Sequence, residues 1–167
     1  METLVVLFAL AWSPVGAEGM VERKATEIIV VHHSDTPSGN VAAFRRHHVL
    51  VNGWSDVGYH FVVCNGKGGA DGEVQVGRDE KYQGAHAGNP KPSRNANSIG
   101  VCLVGEDTFT EAQREALVAL LTRLCKKYKI TPSAATVQRH HEKCPGSGLN
   151  MEDIIARCRK ECEEKKK

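Results

Sequence analysis

No charge of one sign dominates this 167-residue chain: 22 Lys and Arg stand against 20 Asp and Glu, a formal net charge of +2. So even a balance creates no strong field for nucleic acid or an anionic membrane surface, and nucleic acid is not expected as a partner. No apolar run approaches the ~20 residues of a bilayer-spanning helix, so no integral membrane segment is expected. Repeats and low-complexity blocks are absent too, and the length suits one domain able to bury a core of its own. The cysteines (Cys64, Cys102, Cys125, Cys144, Cys158 and Cys162) form no paired framework. Cys64, Cys102 and Cys125 fall inside apolar strand or helix patterns, where a free thiol behaves as a small hydrophobe. Cys158 and Cys162, four apart on one helix face, read as free thiols rather than a disulfide. This usage suits a reducing cytosol.

The N-terminus points the other way. Residues 4–12 have the composition of a signal h-region, and Val15-Gly16-Ala17 offers small residues for cleavage before Glu18. The segment ahead of them carries Glu2 and no Lys or Arg, which disfavours export, and Met20 offers an alternative start. Residues 1–19 are therefore set apart as either a signal peptide or a misassigned start. Residues 24–163 form the expected domain, and residues 164–167 a charged tail.

Along that domain, residues 27–31 are a continuous apolar, β-branched run apart from Glu27, the pattern of a strand buried on both faces. Asp35-Thr36-Pro37-Ser38-Gly39 breaks it. Asn40 then caps a helix that presents Val41, Phe44, His48 and Val51 and closes at Asn52-Gly53. Residues 59–64 and 73–76 read as two strands around a glycine-rich turn, and residues 98–104 as another strand. Thr110 with Gln113 makes a capping box, followed by Leu117, Leu120, Leu121, Leu124 and Tyr128 at helical spacing. Residues 136–139 are a short strand, and Asn150 caps a last helix containing Ile154, Ile155 and Cys158. Strands interleaved with helices predict a single α/β domain: a central mixed β-sheet flanked by about three helices.

The chemistry concentrates in Arg139-His140-His141-Glu142-Lys143-Cys144-Pro145-Gly146. His and Cys together are what zinc selects. A second pair, His32-His33, ends the first strand. His32, His140 and Cys144 would make a three-ligand set that leaves zinc's fourth position open, as catalytic sites do. His33 and His141 fall to supporting or packing roles. Beside such a centre the Tyr59 hydroxyl could orient a nucleophile or donate to an oxyanion, and Lys143 could place an ammonium near developing negative charge. Residues 77–89 are dense in small and polar side chains and fit either a long surface loop or one wall of a groove for a polar polymer. In the groove reading His86 and Arg78 are the hydrogen-bonding contacts. His33-Ser34-Asp35 has serine-hydrolase residue types, but such partners meet in space rather than in sequence. The glycines of residues 66–72 lack the strand–glycine–helix context of a phosphate cradle.

In order along the chain stand Val31-His32-His33-Ser34, Trp54-Ser55-Asp56-Val57-Gly58-Tyr59-His60-Phe61, Gly77-Arg78-Asp79-Glu80, Gly84-Ala85-His86-Ala87 and the block from Asn97 to Gly105. With His140-His141-Glu142 and Cys144-Pro145, they resemble the zinc-dependent type-2 N-acetylmuramoyl-L-alanine amidases. The resemblance is greatest to the phage lysozyme-type members, which share their fold with peptidoglycan recognition proteins. It implies hydrolysis of the amide between N-acetylmuramic acid and the stem-peptide L-alanine, with peptidoglycan or a muropeptide as substrate and one Zn2+ per chain. It also implies His32, His140 and Cys144 as ligands, Tyr59 as a catalytic residue, and His86 with Arg78 and Asn97 on the substrate side. The protein is then expected to be a monomer. It would be secreted or periplasmic if residues 1–17 are a signal, and otherwise a cytoplasmic phage-type endolysin acting on the cell wall. The alternative is a recognition module that binds muropeptides without cutting them.

One spacing departs from the family. Only His141, Glu142 and Lys143 separate His140 from Cys144, fewer than the family's loop, and Glu142 stands where the family has a lysine or threonine. Four residue steps span roughly 13 Å when extended, so reach is adequate. What the fold must supply is direction.

Overall fold

The computed structural model describes residues 19–88 and 91–164; the signal or alternative-start segment, apart from its last residue, and most of the charged tail lie outside them. A five-stranded sheet forms the centre, in the order β3-β2-β4-β1-β5. Its strands are β1 (Ile28–His33), β2 (Phe61–Val63), β3 (Val74–Val76), β4 (Ser98–Leu103) and β5 (Val137–Arg139). β1 pairs in parallel with β4 and β5, and β2 in parallel with β4, while β3 returns antiparallel on β2. The sheet is therefore mixed, and β1 lies inside it. A strand with neighbours on both edges and packing on both faces has no use for alternation, and Ile29, Val30 and Val31 are all fully buried.

The helices are α1 (Val41–Leu50), α2 (Glu111–Tyr128) and α3 (Met151–Glu164). Asn40 caps α1 by accepting from the Ala43 N–H at 2.8 Å. Thr110 and Gln113 form the capping box of α2, and the Asn150 side chain accepts from Glu152 and Asp153 at the start of α3. The α2 stripe Leu117, Leu120, Leu121 and Leu124 packs with Ile154, Ile155 and Cys158 of α3 against Ile29, Val31, Ile99 and Val101. Each such side chain contributes roughly 1.5–3 kcal/mol by leaving water. A smaller core of Val41, Val57, Val62, Cys102 and Val104 lies with Phe44 and Tyr59.

Two sequence expectations change. Val51 is the C-cap of α1 rather than part of its buried face; it and Leu50 are exposed, and Val41 is the buried residue of that helix. β2 begins at Phe61, not Tyr59: the Tyr59 carbonyl accepts from the Arg78 N–H beyond β3, and just before it the Gly58 N–H donates to His48 Nδ1 of α1.

For the site, the important feature is where parallel strands end together. β1 runs out at His32-His33, and past β5 the His140 N–H donates to the Val31 carbonyl at 3.1 Å. That bond sets His140 beside His32 at the carboxyl end of the sheet, where open α/β sheets place their ligand sites.

Candidate metal centre

Cys144 reaches the same place through a tight turn. His141 and Cys144 exchange backbone hydrogen bonds of 3.2 and 3.1 Å, so Glu142 and Lys143 alone reverse the chain. The short spacing thus supplies its own direction. One nitrogen each from His32 and His140 and the Cys144 sulfur lie within 4.8 Å of one another, with Cys144 Sγ 3.9 Å from His32 Nδ1. A tetrahedral ion with bonds of 2.0–2.3 Å holds its ligand atoms roughly 3.3–3.8 Å apart, so these groups need close by only about 1 Å to share one.

Hydrogen bonding fixes which His32 nitrogen is available. The single Ser98 hydroxyl proton goes to the Arg94 carbonyl at 2.6 Å. His86 Nε2, 3.3 Å from Ser98 Oγ, must then donate to it. His86 Nδ1 is left as an acceptor, and His32 Nε2 donates to it at 2.9 Å. His32 Nδ1 therefore carries a bare lone pair on the side facing Cys144. Burial, reinforced by neighbouring positive groups, drives both His32 and His86 well below the usual histidine range, so both rings are neutral, as ligation requires. Arg94 also secures His140, since its guanidinium donates to the carbonyls of Arg139 and His140 and to the Gln138 side chain.

The Cys144 thiol is pushed up by burial, and its sulfur lies 3.2 Å from His33 Nδ1. His33 is held below its ordinary value by burial, which outweighs Asp35 at 3.8 Å. His141 is exposed, and its Nδ1 accepts the Lys143 N–H.

These groups open onto a cavity of about 830 Å3 that Tyr59, Asp107, Arg139 and Lys143 also line. The Tyr59 ring lies 5.3 Å from that of His32 and packs against the small core that contains Cys102. Burial raises the phenol well above 10, so it stays protonated and is a donor. Lys143 is exposed at the tip of the turn.

The three expected substrate contacts fall in different surroundings. His86 is only 8% exposed and has both ring nitrogens engaged by His32 and Ser98, so it braces the His32 ring from behind. Arg78 is buried and spends its donors on the carbonyls of Val57, Gln83 and Asp56, holding the loop that precedes His86. Asn97 bonds Glu27 where β4 begins, at the opposite end of the sheet. The segment around Arg78 and His86 is thus held in place by buried hydrogen bonds, and His86 lines the cavity from beside His32. Sequence reasoning missed Arg94 and Ser98: an arginine in a polar loop and a serine opening an apolar strand carry no local signal for what they hold.

The sequence pattern of the N-acetylmuramoyl-L-alanine amidase family matches residues 22–148. The chain is 42% identical over 135 residues to an endolysin of Escherichia phage T7, covering 74% of this chain and 80% of that one. It is 30% identical over 138 residues to peptidoglycan-recognition protein SC2 of Drosophila melanogaster, covering 72% and 68%. Among solved structures it superposes on the N-acetylmuramoyl-L-alanine amidase LysC of Clostridium intestinale with a TM-score of 0.71. The identity there is 31%, over 84% of this chain and 89% of that one.

Proposed function

The chain belongs to the N-acetylmuramoyl-L-alanine amidase family, and from that premise we propose that it works through zinc held by His32, His140 and Cys144. It is a peptidoglycan amidase, which hydrolyses the bond between N-acetylmuramic acid and the L-alanine of the stem peptide. The observation that carries the zinc reading is the unprotonated Nδ1 of His32, fixed by the chain from Arg94 through Ser98 and His86 and facing Cys144 Sγ, with His140 in the same cluster.

Two imidazoles and a thiol suit zinc better than a hard cation, because soft sulfur and imidazole are its preferred donors. Zinc in this set would keep one position open and supply Lewis acidity for the scissile carbonyl and for water. The remaining work falls to the chain's own side chains. Tyr59, protonated and beside His32, donates a hydrogen bond to the oxygen that gains negative charge as the carbonyl becomes tetrahedral. Lys143 brings a positive charge to the same cavity from the turn that carries Cys144. Arg94 and His86 keep the two histidines in place. Because the substrate is cell wall, the site of action is the wall, and the enzyme acts there as a monomer. Among the described residues no helix is long and apolar enough to cross a membrane.

His32→Ala tests this reading. The variant should lose bound zinc and release no stem peptides from purified peptidoglycan, while its circular dichroism stays that of the parent. Full release by the metal-free variant would overturn the assignment.

A further inference from the structure

A second cluster of reactive groups lies between α2 and α3, outside the cavity described above. Cys125 comes from α2, and Cys158 and Cys162 from α3. Cys158 is fully buried; it accepts from Thr122 Oγ1 at 3.6 Å and shares one core cluster with Cys125, against which Cys162 packs. Cys162 is partly exposed and shares with Cys125 the lining of a cavity of about 370 Å3. Lys126, Lys129 and Arg159 line that cavity against a single carboxylate, Glu163. Amide hydrolysis uses none of these residues.

We propose that Cys125, Cys158 and Cys162 form a thiol–disulfide exchange site that takes an anionic low-molecular-weight disulfide at Cys162 and ends with a Cys125–Cys158 bond tying α2 to α3. The Cys162 thiolate attacks one sulfur of the incoming RS–SR, releasing RS− and forming a mixed disulfide. The Cys158 thiolate then attacks the Cys162 sulfur and expels the second RS−. A bond between residues four apart on one helix is strained, because their Cβ atoms stand about 5–6 Å apart where a disulfide wants 3.5–4.5 Å. The Cys125 thiolate therefore attacks the Cys158 sulfur and returns Cys162 to the thiolate. The two protons lost by Cys125 and Cys158 end on two RSH, and two electrons pass from the protein to the small disulfide.

The surroundings favour this order. The cationic rim attracts an anionic disulfide. Burial pushes the Cys162 thiol up, so its exposure to the cavity rather than a low pKa makes it the entry point, while pairing with Cys125 draws the Cys158 thiol down and pushes Cys125 up, which reacts last.

The test treats reduced full-length protein with oxidised glutathione, quenches by alkylation and maps non-reduced tryptic peptides. Arg123, Lys126, Arg157, Arg159 and Lys160 place each of the three thiols on its own peptide. The expected result is a Cys125–Cys158 linked pair with Cys162 alkylated, together with a higher denaturation midpoint. Cys162→Ser should form the same link at least tenfold more slowly, and Cys158→Ser should not form it. Glutathione left on Cys162 with no link, no reaction at all, or a Cys162→Ser variant that links at the parental rate would each overturn the proposal.

Discussion

His32 can act as a ligand because of what holds its other nitrogen. A histidine free to flip presents either nitrogen, whereas this one is committed through His86 and Ser98 to a backbone carbonyl. Groups of this kind behind metal-binding histidines set ring orientation and basicity. Tyr59 has a different duty, and the prediction for it is separate. Tyr59→Phe should retain zinc and substrate affinity but lower kcat by roughly 10²–10³-fold, the usual cost of one lost oxyanion donor. Kinetics on a soluble muropeptide with metal analysis of the same sample would show it, and an unchanged kcat would remove Tyr59 from the chemistry. Tyr59, His32 and Cys144 were legible in the sequence because each sits in a short block of chemically telling residues. His86 was visible as a residue but not in its role, since its slot is built by distant parts of the chain.

At the scale of elements, that slot is made by two glycines. A Cβ on Gly100 of β4 would stand 2.4 Å from His86 Cδ2, and one on Gly84 would stand 2.2 Å from the same atom. Gly100→Ala should therefore push the His86 ring out, costing about 1–3 kcal/mol of stability and roughly 10–100-fold in zinc affinity. Urea unfolding together with zinc titration of the variant measures both, and parental zinc affinity would show that His86 does not brace His32. Elements whose signals are local could be read directly: the capping box of α2, the Asn caps of α1 and α3, and the unbroken apolar run of β1. The loop that carries Arg78 and His86 has no period to read. Its shape comes from buried hydrogen bonds to segments far away in sequence, which no local pattern encodes. The turn from His141 to Cys144 lies between these cases: its length was plain, but the backbone pairing that aims Cys144 inward belongs to the fold.

The whole molecule carries several histidines whose neutral form the fold prefers, which gives its stability a definite pH sign. Burial holds His60 at about 4, with Nδ1 accepting from the Gly100 N–H and Nε2 donating to the Tyr82 carbonyl. His48 is also lowered to about 4, and His32 and His86 lie well below the usual range. A histidine with a depressed folded value is protonated first in the unfolded chain, so stability is full above about 6.5 and falls as pH drops toward 4. His60 alone accounts for up to roughly 3 kcal/mol of that loss. Denaturant unfolding from pH 7.5 to 4 should show the decline, with a shallower slope in His60→Gln. A parental slope in that variant would mean that His60 titrates normally.

Zinc dependence of amide cleavage is the central claim, and stem-peptide release before and after metal removal tests it most directly. The purified protein should contain one zinc per chain and release peptides with a free L-alanine amino terminus from peptidoglycan. Chelation should abolish that release, and stoichiometric zinc should restore it. Undiminished release from protein stripped of metal would contradict the account.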